Sequence, residues 1–230
     1  AICDGDLVDV IASASGGNGG PYTFTWTDDQ GGAHTPLGAG SPSTIQDTPG
    51  QDTWYYVTVS DGCSLDEVDS VLVTINALPT AFINVVDSNG CEAFTADFIL
   101  NTDIGVSFDY DFDCDGNAEL VNSTSTNPSF TYSNAGLYDV CVTVTSADGC
   151  VTQLSEPGLV EVYPVPTAGF TPDPLSTTEV DPLIDMIDQS SGADFYFWTF
   201  GDGDSISGAG TDLVGTANTS GTVADPSHFY

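Results

Sequence analysis

Not one of the 230 residues is lysine or arginine, although 34 are aspartate or glutamate. Ordinary domains are about 25% charged, counting both signs. Here the charged fraction is 15%, all of it acidic, so the net charge of −34 reflects deleted cations rather than added acids. Only His34 and His228 can carry a positive side chain. A fold of this chain therefore has almost no ion pairs to draw on, and its surface carboxylates repel one another. Cores, backbone hydrogen bonds and covalent staples must hold it.

The same deletion excludes whole classes of function. Phosphates and anionic headgroups are gripped by Lys and Arg, so neither nucleic acid nor a membrane surface is an expected partner. Schiff-base lysines, arginine clamps and P-loops are excluded outright; metal cations are the natural partners. Asp outnumbers Glu by 28 to 6, and Asp favours turns and is depleted in strands, which puts the acids mostly in loops. With 25 Gly, 13 Pro and no apolar three-and-four spacing sustained beyond a turn or two, the predicted class is all-β. No apolar run approaches the roughly 20 residues that span a bilayer, so no membrane insertion is expected. The chain starts at Ala1 without a signal-type segment, as a mature product or a fragment would.

Six cysteines, Cys3, Cys63, Cys91, Cys114, Cys141 and Cys150, form no C-x-x-C pair. Their even number in a loop-rich chain points to disulfides and an extracellular setting.

Two proline-marked joints, Asn76-Ala77-Leu78-Pro79-Thr80 and Tyr163-Pro164-Val165-Pro166-Thr167, divide the chain into modules at 1–78, 79–165 and 166–230. Half-buried strand alternation is read in the first module at Leu7 to Ala12, Tyr22 to Trp26, Trp54 to Val59 and Val71 to Ile75. The second carries it at Phe94 to Leu100, Ser107 to Phe112, Ser129 to Tyr132, Tyr138 to Val144 and Leu159 to Val162. Asn127 to Tyr132 corresponds to Asp225 to Tyr230, after which the third module has no counterpart of the second's last two strands. It is expected to be part of a longer polypeptide, or to be completed by a neighbouring subunit through β-addition.

Phe197-Trp198-Thr199-Phe200-Gly201-Asp202-Gly203 resembles the W-D-F-G-D-G signature of PKD domains, and Tyr110 to Gly116 resembles its longer variant. The resemblance implies tandem immunoglobulin-like (PKD-type) β-sandwiches in a linear array. Gly16 to Trp26, with Tyr55 to Val59 and Asp61-Gly62-Cys63, is similar to repeats of large gliding-motility adhesins and related surface proteins of Bacteroidetes. That likeness implies a segment of a cell-surface filament or stalk, whose partners are further repeats or copies of itself, surface glycans or proteins. The alternative is the carbohydrate-binding accessory region of a secreted hydrolase.

Asp111, Asp113 and Asp115, followed by Gly116, fit the D-x-D-x-D-G opening of a calcium loop, in which alternate carboxylates converge on a hard cation. Glu119 stands at position 9 of that register, and Asn122 occupies the place of the usual bidentate Glu. A solvated corner that merely shapes the sandwich is the competing reading. Asp202 and Asp204 are weaker candidates, separated by glycine. Six cysteines allow 15 pairings. Cys3–Cys63 and Cys91–Cys150 are expected within the first two modules, and Cys114–Cys141 between the acidic corner and a central strand.

Neither histidine sits in a pattern expected of a catalytic base, and the chain is not expected to be an enzyme. Trp26, Trp54, Trp198 and Tyr138 are expected in cores and corners, a sugar-binding platform being the alternative. Asn122 and Asn218 head N-glycosylation sequons, and Ser70 and Ser205 follow Asp as in the D-S/T-apolar O-glycosylation motif.

Overall fold

The computed structural model describes residues 1–17, 19–179, 182–209, 214–215, 219–221 and 223–230. Among them every regular element is a β-strand. Alternation is the cause: β6 (Thr53–Ser60) opens buried, exposed, buried, exposed, buried, and β11 (Phe94–Thr102) keeps that period over most of its length.

The first stretch of chain holds β1 (Ile2–Cys3), β2 (Val8–Ala12), β3 (Thr23–Asp28), β4 (Ala33–His34), β5 (Ser43–Asp47), β6, β7 (Glu67–Val73) and β8 (Ile75–Asn76). Its sheets run β4-β3-β6-β7, β2-β5 and β1-β8. The first two close on Val10, Trp26, Ile45, Tyr55, Val57 and Val73, each large side chain contributing about 1.5–3 kcal/mol by burial.

The second stretch holds β9 (Ala81–Val85), β10 (Asn89–Cys91), β11, β12 (Gly105–Asp111), β13 (Leu120–Ser123), β14 (Ser129–Tyr132), β15 (Gly136–Ser146) and β16 (Val151–Tyr163). Sheets β10-β16-β15-β12-β13 and β14-β11-β9 enclose its core. There Phe98 lies 5.0 Å, ring to ring, from Phe112, which stacks on Tyr110. Phe108, Tyr110 and Phe112 are 2%, 0% and 1% exposed, the inward face read from the sequence.

The third stretch holds β17 (Phe170–Asp173), β18 (Leu183–Asp188), β19 (Phe195–Thr199), β20 (Ser205–Ala209), β21 (Val214–Gly215), β22 (Thr219–Gly221) and β23 (Pro226–Phe229). Its sheets run β17-β18-β23-β22 and β19-β20-β21. Its buried cluster is smaller: Met186, Phe200, Ile206 and Val223. β23 is hydrogen-bonded on both sides, by β18 and by β22.

By compactness the chain forms two units. One is Ala1–Val86 with Asp97–Ser129 and Tyr138–Leu159; the other is Asp87–Ala96 with Phe130–Leu137 and Val160–Tyr230.

The cysteines depart from two of the three expected pairings. Cys114 bonds Cys141 as read, but Cys3 bonds Cys150 across 147 residues, and Cys63 and Cys91 are free and exposed. Strand geometry explains the difference. β1 runs parallel to β8, with Cys3 level with Asn76, whose carbonyl lies 3.8 Å from Cys150 Sγ. Cys63 instead sits in the β6–β7 turn, and the seven residues of β7 lead away from it, about 24 Å of strand. Cys91 is level with Tyr163 at one end of β16, whereas Cys150 precedes Val151 at the other. Thirteen residues of strand, about 40 Å, separate them.

Candidate functional site

The acidic corner begins where β12 ends. Asp111 is level with Cys141 of β15, and Cys114, three residues on, is bonded to that same Cys141 with Cα atoms 5.2 Å apart. The staple holds the chain in a tight reversal, in which Cys114 (φ 52°) and Gly116 (φ 93°) take left-handed conformations. Asp111 accepts the Asp115 N–H through Oδ1 at 3.2 Å and the Gly116 N–H through Oδ2 at 2.8 Å. Asp113 Oδ1 accepts the Asp115 N–H at 3.2 Å, Asp115 Oδ1 the Asn117 N–H at 2.7 Å, and Glu119 Oε2 the Phe112 N–H at 2.8 Å. Backbone N–H groups thus turn the carboxylates inward and offset part of their repulsion.

The result gathers all four sequence-read ligands. One oxygen each from Asp111, Asp113, Asp115 and Glu119 lies within 4.8 Å of the others, a spread that Ca–O distances of about 2.4 Å can bridge. A groove of about 490 Å³ lined by Asp109, Asp111, Cys141 and Gln153 adjoins it, leaving room for ligand waters. Asn122 takes no part: its φ is 52°, its side chain is exposed, and its N–H donates to Asp109 Oδ1 at 2.6 Å. The set is four carboxylates and no nitrogen, which suits a hard cation rather than a transition metal.

The weaker pair gains a partner that the sequence did not disclose. His228 of β23, fully buried and stacked on Phe200, places Nε2 2.8 Å from Asp202 Oδ2. Asp202 Oδ1 accepts the Asp204 N–H at 3.0 Å, and this bond, more than the imidazole, holds the Asp202 carboxyl below its usual range. Asp204 joins the same group. The match of Asp225 to Tyr230 with Asn127 to Tyr132 places His228 on a strand but in the position of Phe130, so it carried no pointer to Asp202.

Asn122 and Ser70 are exposed, as modification requires, while Ser205 is half-buried in the paired strands β19 and β20. Asn218 lies outside the described residues. Trp26 is a core residue and Trp198 a half-buried one whose Nε1–H donates to the Val223 carbonyl at 2.8 Å. Trp54 departs from the core reading: it is 41% exposed, because alternation along β6 turns the neighbouring Tyr55 inward.

Neither a family model nor a curated protein matches this chain. Among solved structures, the mouse nectin-like molecule 4 full ectodomain (Ig1–Ig3) is 8% identical over 99% of this chain and 85% of its own, with a TM-score of 0.48. The CbhA fibronectin(III)-like modules of Clostridium thermocellum are 11% identical over 70% of this chain and 88% of theirs, with a TM-score of 0.39. Protocadherin gamma B7 extracellular cadherin domains 1–4 are 13% identical over 96% and 62%, with a TM-score of 0.29. The chain is similar to these and is assigned to none of them.

Proposed function

We propose that this chain is a non-enzymatic, extracellular structural or adhesive segment of a long cell-surface filament, with the Asp111–Glu119 corner as a calcium site. The observation that carries the reading is the Cys3–Cys150 disulfide. It ties the opening strand of the first sandwich to the turn between β15 and β16 of the second, across the Pro79 joint. Tension applied outside residues 3 and 150 passes through one covalent bond and bypasses everything between. In the chain-entropy model, closing so long a loop adds about 5 kcal/mol. Disulfides also support an oxidising, extracellular setting. The partners in this reading are further repeats or copies of the chain, with surface glycans or proteins as adhesive targets.

Electron microscopy of the native polypeptide on its parent cell tests the filament. A regular fibre with a modular repeat is expected; isolated globular particles would sink the reading. Calorimetric titration tests the corner separately. Calcium is expected to release heat and to raise the melting temperature relative to chelator, an effect lost in Asp113→Asn/Asp115→Asn. No heat and an unchanged melting temperature would end the calcium assignment.

A further inference from the structure

At the rim of the first sandwich's core, three side chains meet that the acidic corner does not involve. Trp26 and Asp28 stand two apart on β3 and so share a face, as do Ile45 and Asp47 on β5. Trp26 and Ile45 are core residues, 2% and 0% exposed, which turns both aspartates inward. Register completes the group: His34 is level with Trp26 across β3 and β4, and Tyr55 with Asp28 across β3 and β6. His34 Nε2 lies 2.8 Å from Asp28 Oδ2 and 3.9 Å from Asp47 Oδ2. One donor atom from each of Asp28, His34 and Asp47 falls within 4.8 Å of the others.

The carboxylates are held from behind. Asp28 Oδ1 accepts the N–H groups of Gln30 at 2.8 Å and Gly32 at 2.7 Å, leaving Oδ2 toward the imidazole. A Cβ on Gly32 would run into the Asp28 carboxylate, so a glycine there lets the side chain fold back over the turn. Asp47 Oδ1 accepts the Thr48 N–H at 2.8 Å, and the buried Tyr55 hydroxyl donates to Asp47 Oδ2 at 2.7 Å. The side chains of His34 and Asp28 are only 15% and 9% exposed. The Asp47 side chain is 31% exposed, and two carboxylates converging on one imidazole in a chain without Lys or Arg favour a compensating positive charge between them.

We propose that Asp28, His34 and Asp47 bind one divalent cation of the zinc class, with water completing its coordination. Two carboxylates cancel the charge of such an ion, and the imidazole nitrogen favours a borderline transition metal over calcium. The metal takes the Nε2 lone pair, and any proton held between Nε2 and Asp28 Oδ2 leaves to solvent. Tyr55 and the Gly32 N–H act as orienting partners behind the ligands. Asp47 comes from sheet β2-β5 and the other two ligands from sheet β4-β3-β6-β7, so the ion cross-links the two sheets of this sandwich.

The test is titration of the tag-free, chelator-treated full chain with zinc chloride near pH 7, followed by calorimetry, thermal melting and imidazole NMR. With two histidines in the chain, the ring signals assign themselves once one is substituted. One ion per chain is expected, with a raised melting temperature, His34 ring signals that shift and His228 signals that do not, and no competition from calcium. His34→Ala abolishes the heat, and Tyr55→Phe weakens binding about 10-fold. Absence of heat overturns the proposal. So does heat that persists in His34→Ala, which would place the ion at another group such as the acidic corner, Asp202–Asp204–His228 or the free thiols, and so does a His34 ring whose signals stay unmoved as zinc is added. His34→Ala or His228→Ala, whichever folds, assigns the two ring signals, and the shift on adding zinc is then read in the unsubstituted chain.

Discussion

Asp103 shows how single carboxylates work in a chain without cations. Its Oδ1 accepts the N–H of Thr80, just past the first proline joint, at 2.9 Å and the N–H of Ile104 at 2.6 Å. The Thr80 bond is the largest of the influences that hold its carboxyl below the ordinary aspartate range. A group whose folded pKa is depressed adds stability above its unfolded value, near 3.9, and loses it as pH falls through the folded one. Asp103→Asn is therefore expected to melt below the parent protein at neutral pH, the gap narrowing as pH falls below about 4 and through the depressed folded pKa. Thermal melts across that range check it; a gap independent of pH would contradict the assignment. Asp28 and Asp47 mark the limit of reading at this scale. Trp26-x-Asp28 and Ile45-x-Asp47 place acids on inward faces, but only the pairing of β3 with β4 brings His34 to them.

β12 and β15 show what one staple adds to a strand pair. They are joined by a ladder from Gly105↔Ser146 to Asp111↔Cys141, and the disulfide from Cys141 to Cys114 fixes the corner just beyond it. Replacing both cysteines with serine removes a loop closure of 27 residues, worth about 3.5 kcal/mol in the chain-entropy model. The expected outcome is a lower melting temperature together with weaker calcium binding. Unchanged calcium affinity in the folded variant would show that the staple does not organise the corner. Strands with strict alternation, such as β6, β11 and β15, were legible because each buries one face. β16 was read only at Leu159 to Val162, since Glu156-Pro157-Gly158 interrupts the pattern. Pro157 is accommodated because β10 pairs with β16 only at residues 161–163, so the bond its nitrogen cannot donate is not needed on that side. Pairing of cysteines was legible for Cys114 and Cys141, which meet at one end of the antiparallel pair β12–β15, and illegible for Cys3, whose place is set by the parallel β1–β8 contact.

Across the whole molecule, each ion pair among the described residues uses His34 or His228. Carboxylates otherwise bond backbone N–H groups, hydroxyls and side-chain amides, so cohesion rests on cores, ladders and two disulfides. The Cys3–Cys150 clasp is the central element of the stalk reading, and single-molecule force extension between the chain ends tests it most directly. With the disulfide intact, residues 3–150 cannot lengthen, and full extension is expected to release about 290 Å from the remaining 80 or so residues. With reductant, about 530 Å more should appear as the 147-residue loop opens. Equal contour lengths in the oxidised and reduced protein would contradict the clasp, and the stalk reading with it.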